Sequence, residues 1–214
     1  MKDLNAFFSG AGALANTSDT TKVSMPNGLA TIKAVVPHLS KKGNDCALIS
    51  FQSKAKPNDE SYGHNEYVSM SEGARFLRVF GKIVYIAKHS KNEQAKALFM
   101  QLGNPVEYVA QPVADENGVA LMNADGTPML APIEFTTNEQ LAVIRANYGD
   151  DVTFIWADDD NNTRVAIRFV NPKEYITNLI TALQGFVGET FYLETKMDTT
   201  RGFQQLVSIN EPKL

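Results

Sequence analysis

The stretch Val152–Ile209 constrains the fold more than any other part of the chain, because apolar pattern, turn chemistry and helix signals agree there. Val152–Trp156 is β-branched and aromatic, the composition of a half-buried strand. Asp158–Thr163 is a run of turn formers. Arg164–Val170 then alternates, with Val165, Ile167 and Phe169 on one side and Arg164, Ala166 and Arg168 on the other, so the pair reads as a hairpin. Asn171-Pro172 supplies an N-cap followed by proline at the first helical position. Tyr175, Ile176, Leu179, Ile180 and Leu183 form the apolar stripe of a helix that Gly185 and Gly188 can stop. Glu189–Lys196 and Phe203–Ile209 form a second hairpin around Met197–Gly202.

Two hairpins flanking one helix resemble, in element order, the later strands of an OB barrel. The C-terminal half is therefore expected to be OB-like. Upstream, Lys22–Met25 and Leu29–Val36 read as strands around the turn Pro26-Asn27-Gly28, with Pro37 ending the second. Cys46–Ser53 is another strand, Lys54–Asn65 a long polar loop expected to be mobile, and Glu66–Met70 a short strand. A helix is expected from Ser71 to Phe80, then strand character over Gly81–Ala87. Ser90-Lys-Asn-Glu93 and Thr137-Asn-Glu-Gln140 are capping boxes that open helices reaching Leu102 and Tyr148. Between them lie two hairpin turns, Asp115–Gly118 and Asp125-Gly126, among prolines that suit edge strands. No fixed period runs through the chain. The expected class is α+β: a largely antiparallel sheet with three to four helices.

Residues 1–21 read as a flexible arm. Leu4, Phe7 and Phe8 sit at helical spacing, followed by a small-residue linker. An apolar tip on such a tether is the composition of a segment that docks on its own body, a neighbouring copy or a partner, so Leu4, Phe7 and Phe8 are the candidate oligomerisation residues. Residues 22–214 are expected to form a single α+β domain, with 105–150 as an acidic hairpin and helix elaboration. The single cysteine, Cys46, allows no internal disulfide and lies in an apolar run, which suits a buried inert thiol. No apolar run approaches a membrane span and no basic leader precedes Leu4–Leu14. A cytoplasmic home is expected, that of a host cell if the chain is viral, with no membrane partner.

The net charge of -4 is unevenly distributed. Residues 33–96 hold 11 Lys+Arg against 6 Asp+Glu, whereas residues 97–163 hold 1 against 11. Such a sequence can fold into a body with a basic and an acidic side. A basic protein is a candidate partner for the acidic region 97–163.

Local motifs for chemistry are weak. Asp158, Asp160 and Asn162 occupy alternate positions, like the first ligands of a calcium loop, but Thr163 stands where the sharp-turn glycine belongs and Phe169 where the bidentate Glu belongs. Asx residues also simply make turns, and that reading is preferred. His38, His64 and His89 have no His or Cys partner at zinc-ligand spacing. There is no phosphate-cradling glycine loop and no nucleophile elbow. No catalytic residue, metal or cofactor is expected, and the chain reads as a non-enzyme.

Within 33–96, cations and aromatics interleave. Lys33, Lys41, Lys42, Lys54, Lys56, Arg75, Arg78, Lys82 and Lys88 could track phosphates, and Tyr62 and Tyr67 could stack on bases. The function expected first is therefore non-enzymatic binding of single-stranded DNA or RNA, of the replication or recombination type, cooperative through the arm of a homo-oligomer. Two alternatives stand beside it: a virion or shell component assembling through the arm and the Pro-rich edge strands, and an acidic inhibitor of a host nucleic-acid enzyme.

Overall fold

The structure, a computed structural model, describes residues 25–40, 43–71, 73–158, 161–198 and 203–210. Leu4, Phe7, Phe8, Lys41, Lys42 and Asp160 lie outside the described residues. Eleven strands are described: β1 (Gly28–Leu39), β2 (Asp45–Ser53), β3 (Gly63–Ser69), β4 (Val106–Tyr108), β5 (Ala110–Pro112), β6 (Leu130–Pro132), β7 (Glu134–Phe135), β8 (Thr153–Asp158), β9 (Thr163–Phe169), β10 (Thr190–Asp198) and β11 (Phe203–Asn210). The described α-helices are α1 (Gly73–His89), α2 (Glu93–Met100), α3 (Asn138–Tyr148) and α4 (Pro172–Gln184). The class is α+β with mostly antiparallel sheets. The chain divides into two compact units, one of Met1–Met70, Arg78–Gly103 and Pro172–Leu214, the other of Ser71–Leu77 and Asn104–Asn171.

The first unit is built on a five-stranded antiparallel sheet in the order β11-β10-β1-β2-β3. β10 joins β1 through Gly28↔Leu193 to Thr31↔Thr190, a pairing of residues far apart in sequence. Pro37 does not end β1, which continues to Leu39 with Pro37 opposite Ala47. Beyond Ile32, β1 is laddered on one side alone, and an edge position tolerates the missing proline N–H. The core face carries Ile32, Val35, Ala47, Ile49, Phe51 and Val68, all buried. α4 begins at Pro172 as expected and buries Tyr175, Ile176, Leu179, Ile180, Ala182 and Leu183. Asn171 before it takes a left-handed φ of 43°, away from the extended backbone of an ordinary N-cap.

Two local expectations are corrected. Gly81–Ala87 is not a strand but the second half of α1. Its β-branched residues suit either element, and burial decides: Phe76, Val79, Ile83 and Ile86 are buried at spacings of three and four, a helix stripe. Ser90 does not close a capping box. Asn92 is the N-cap of α2, accepting from the Ala95 N–H, while the Ser90 hydroxyl donates to Glu189 Oε1 at 2.6 Å.

In the second unit β9 is the hub, paired with β4, β7 and β8. The expected capping box at α3 is present, with Thr137 and Gln140 bonded reciprocally. Val109, Ile133, Phe135, Leu141, Ile144, Val152 and Ala166 make the core, with Phe154 against it. The two C-terminal hairpins thus belong to different sheets, β8–β9 to one and β10–β11 to the other. They do not combine into one OB-like half, because β10 finds its partner in β1, which local pattern cannot reveal.

Residues 110–132 form a three-segment head. The Val113 N–H donates to the Met129 carbonyl, the Leu121 N–H to the Val113 carbonyl and the Met129 N–H to the Leu121 carbonyl, at 2.8–2.9 Å. The three residues are spaced by eight, and each serves as donor and acceptor in a closed triangle. Both expected hairpin turns are present, flanked by the pairs Ala114↔Ala120 and Met122↔Pro128.

Candidate nucleic-acid interface

Period-two alternation sets the outward face of β1–β2–β3. Opposed residues project to the same side of a sheet, so the rows His38–Cys46–Ser69, Val36–Leu48–Tyr67 and Ala34–Ser50–Asn65 share the face opposite the core. Apart from buried Cys46, these residues are partly or fully exposed. The His38 and Tyr67 rings meet across β2, with centroids 5.1 Å apart and planes tilted by 56°. Burial pushes the Tyr67 phenol above its ordinary range, with nearby Cys46 a lesser cause, so it remains neutral and can donate.

The connection between β2 and β3 closes one end of this face. It carries local structure of its own. The Gln52 amide donates to the carbonyls of Lys56 and Asp59, at 2.6 and 2.8 Å. Asp59 caps the short 3₁₀ turn Glu60–Tyr62 through Ser61, and those bonds hold its carboxyl below the usual range. Lys54 and Lys56 are exposed on this loop, and Lys56 Nζ stands 5.9 Å from the Tyr62 ring centroid. Lys33 sits at the β1 irregularity and reaches Glu60 Oε1 at 3.1 Å, so part of its charge is already answered.

The opposite end is the β1–β2 connection, in which Lys41 and Lys42 fall. β2 has nine residues, so the two ends lie roughly 27 Å apart at about 3.3 Å per residue. The α1 residues behave differently. Arg75 and Arg78 are exposed. Lys82, half-buried, donates to the Leu206 carbonyl on β11. Desolvation lowers its pKa, partly opposed by Glu66, while Arg78 lowers it further. Lys88 is exposed but falls roughly 120° around the helix from Lys82.

Of the candidate residues, Lys33, Lys54, Lys56, Tyr62 and Tyr67 gather on or beside one sheet face, and Arg75, Arg78, Lys82 and Lys88 ride on a separate helix. His38, Leu48 and Asn65 also belong to the face. Their signal was the alternation of β1, β2 and β3, which becomes informative only once the register is known. Charge follows the two units: the first holds 16 Lys+Arg against 12 Asp+Glu, the second 4 against 12. Among the described residues no group of His, Cys, Asp and Glu is placed to hold a metal ion. No described helix is long and apolar enough to cross a membrane. Comparison with known proteins finds no matching family model, no similar curated protein and no similar solved structure.

Proposed function

We propose that this chain binds single-stranded nucleic acid without chemical turnover, as a replication or recombination-type protein of the cytoplasm. The observation that carries the reading is the Tyr67–His38 ring pair on an outward sheet face with exposed Lys54 and Lys56 at one end. Aromatic faces hold unstacked bases and flanking ammonium groups hold phosphates, which gives sequence-tolerant, salt-sensitive binding. The strand order supports it. In the first unit, β1, β2 and β3 are followed after α1, α2 and α4 by β10 and β11, the five strands pair as β11-β10-β1-β2-β3, and β3 approaches β11 at the ends of that order. That pairing order resembles the one in an OB barrel, a fold that binds oligonucleotides over its second and third strands and the loop joining its first two.

In this reading the nucleic-acid strand lies along β2 and β3, from the loop that carries Lys54 and Lys56 toward the β1–β2 connection; Lys41 and Lys42 remain proposed phosphate contacts by residue type. The second unit, with 12 acidic residues against 4 basic, stays off nucleic acid. Leu4, Phe7 and Phe8 remain the proposed contacts between copies along the strand.

Backbone amide shift mapping tests the location. Titration with an oligo-dT strand is expected to move the resonances of Val36, His38, Leu48, Asn65 and Tyr67, and to leave Val109, Ile144 and Ala166 in place. Shifts confined to the second unit, or none, would remove the proposal.

A further inference from the structure

The outward face of β1–β2–β3 carries a polar row that the Tyr67–His38 pair does not explain. Ala34, Ser50 and Asn65 stand opposite one another across the three strands, one row from Val36, Leu48 and Tyr67. Asn is depleted in strands, because its side chain bonds nearby backbone and favours caps and turns. Asn65 does neither. It stands within β3, exposed, and among the described residues neither its amide nor the Ser50 hydroxyl has a hydrogen-bond partner. The next row on this face, Thr31–Gln52–Gly63, is closed by the loop that follows β2. The Gln52 amide is committed to the Lys56 and Asp59 carbonyls, and a Cβ on Gly63 would lie 3.2 Å from the Glu60 carbonyl oxygen. That loop exposes Lys54 and Lys56. Along β3 the face thus presents an aromatic row, then a row of free donors and acceptors, then a loop bearing cations.

This order matches the parts of a nucleotide: ring face, ring edge and phosphate. Rows on one face are about 6.6 Å apart, close to the advance of an extended strand per nucleotide. Resting on the single-strand reading above, we infer that Asn65, with Ser50 opposite it, hydrogen-bonds the Watson–Crick edge of an unpaired base next to the one stacked on Tyr67. A primary amide holds an acceptor and donors side by side. Every base presents an adjacent donor and acceptor on that edge, N3–H and O4 in thymine, so an amide that turns over meets each of them. The contact is tolerant of sequence and selective for strandedness, since in a duplex the complementary base occupies the same edge. Phosphate contacts do not supply that discrimination.

Fluorescence anisotropy with two labelled strands separates this contact from the site as a whole. One strand is oligo-dT. The other has the same length and is built from N3-methylthymidine, which keeps phosphates and ring faces and loses the edge donor. The full wild-type chain is expected to bind oligo-dT about three- to tenfold more tightly than the methylated strand. Asn65→Ala, a change at an exposed position whose fold circular dichroism verifies, should bind the two strands alike. Its affinity should be the one wild type shows for the methylated strand. Ser50→Ala should narrow the gap. Equal binding of both strands by wild type, or a gap that survives in Asn65→Ala, overturns the inference and leaves the single-strand reading standing. Binding of neither strand at low salt overturns both.

Discussion

Tyr67 on β3 and His38 on β1 lie with ring centroids 5.1 Å apart, reaching across the intervening strand β2. Between them β2 presents Cys46, small and buried, opposite His38, and Leu48 opposite Tyr67. The small Cys46 side chain leaves room for the two rings to meet. A tilted pair offers a base one flat face and one edge, the geometry on which the proposed stacking by Tyr67 rests.

If Tyr67 stacks on a base, its ring matters and its hydroxyl does not. Tyr67→Ala is expected to cost about 1–3 kcal/mol of oligo-dT affinity, whereas Tyr67→Phe should bind nearly as wild type. Isothermal titration calorimetry separates the two. Equal losses in both variants would point to hydrogen bonding by the phenol and against stacking.

Two glycines should respond oppositely to alanine. A Cβ on Gly185 would lie 2.5 Å from Ala95 Cβ, where the end of α4 meets α2, so Gly185→Ala is expected to destabilise by about 1–3 kcal/mol. Gly81 lies within α1 with nothing within 4 Å of the added carbon, and Gly81→Ala should stabilise by up to about 1 kcal/mol through helix propensity. Thermal melts of both variants beside wild type check the pair of signs.

Alkaline stability should carry the mark of Tyr175. Burial raises its pKa from 10.0 to about 12. The unfolded chain therefore releases this proton first, and the folded state loses ground as pH rises from 10 toward 12. Tyr67 acts in the same direction. Lys82 acts in the opposite one, since its lowered pKa makes the folded state gain as pH rises toward the ordinary lysine value. Tyr175→Phe removes one contribution cleanly, and urea melts at pH 8 and pH 11 should show a smaller difference in the variant than in wild type.

The chain has one tryptophan, Trp156, and it belongs to the second unit. The Arg164 guanidinium lies 5.0 Å from the Trp156 ring centroid, 5.1 Å from that of Phe154 and 5.7 Å from that of Phe135, and Nη1 donates to Asn138 Oδ1 at 2.8 Å. Arg164→Ala is expected to shift Trp156 emission and to destabilise by about 1–3 kcal/mol, given cation–π contacts worth about 0.5–1 kcal/mol each and a lost charged hydrogen bond. Oligo-dT affinity should be unchanged. Reduced affinity with an intact first unit would place nucleic acid on the second.

Much of the local structure was legible. The stripe of α4, the Thr137 capping box and the turns at Asp115–Gly118 and Asp125-Gly126 rest on interactions within a few residues, and such interactions write themselves into short patterns, whereas β9 buries Val165, Ala166 and Ile167 in succession, so its alternation did not separate a buried from an exposed side. Gly81–Ala87 was misread because Ile83, Val84 and Ile86 are β-branched, and their helix was settled by the burial of Phe76 and Val79 one turn earlier. The β1–β10 pairing joins residues some 160 positions apart, and no periodicity encodes it. The candidate site was legible as residue types and not as a surface: Tyr67, Lys54 and Lys56 were identifiable by chemistry, but His38 joins them only through the register of β2.

The measurement that bears most directly on the proposed function is fluorescence anisotropy of a labelled oligo-dT strand, titrated with the full chain at low and then moderate salt. Saturable binding is predicted, with log K falling linearly in log salt by about 0.7 per phosphate contacted. Lys54→Ala with Lys56→Ala should flatten that slope by about 1–1.5, and Lys33→Ala, whose ammonium already faces Glu60, by less. No binding at low salt, or binding indifferent to both salt and these lysines, would contradict it.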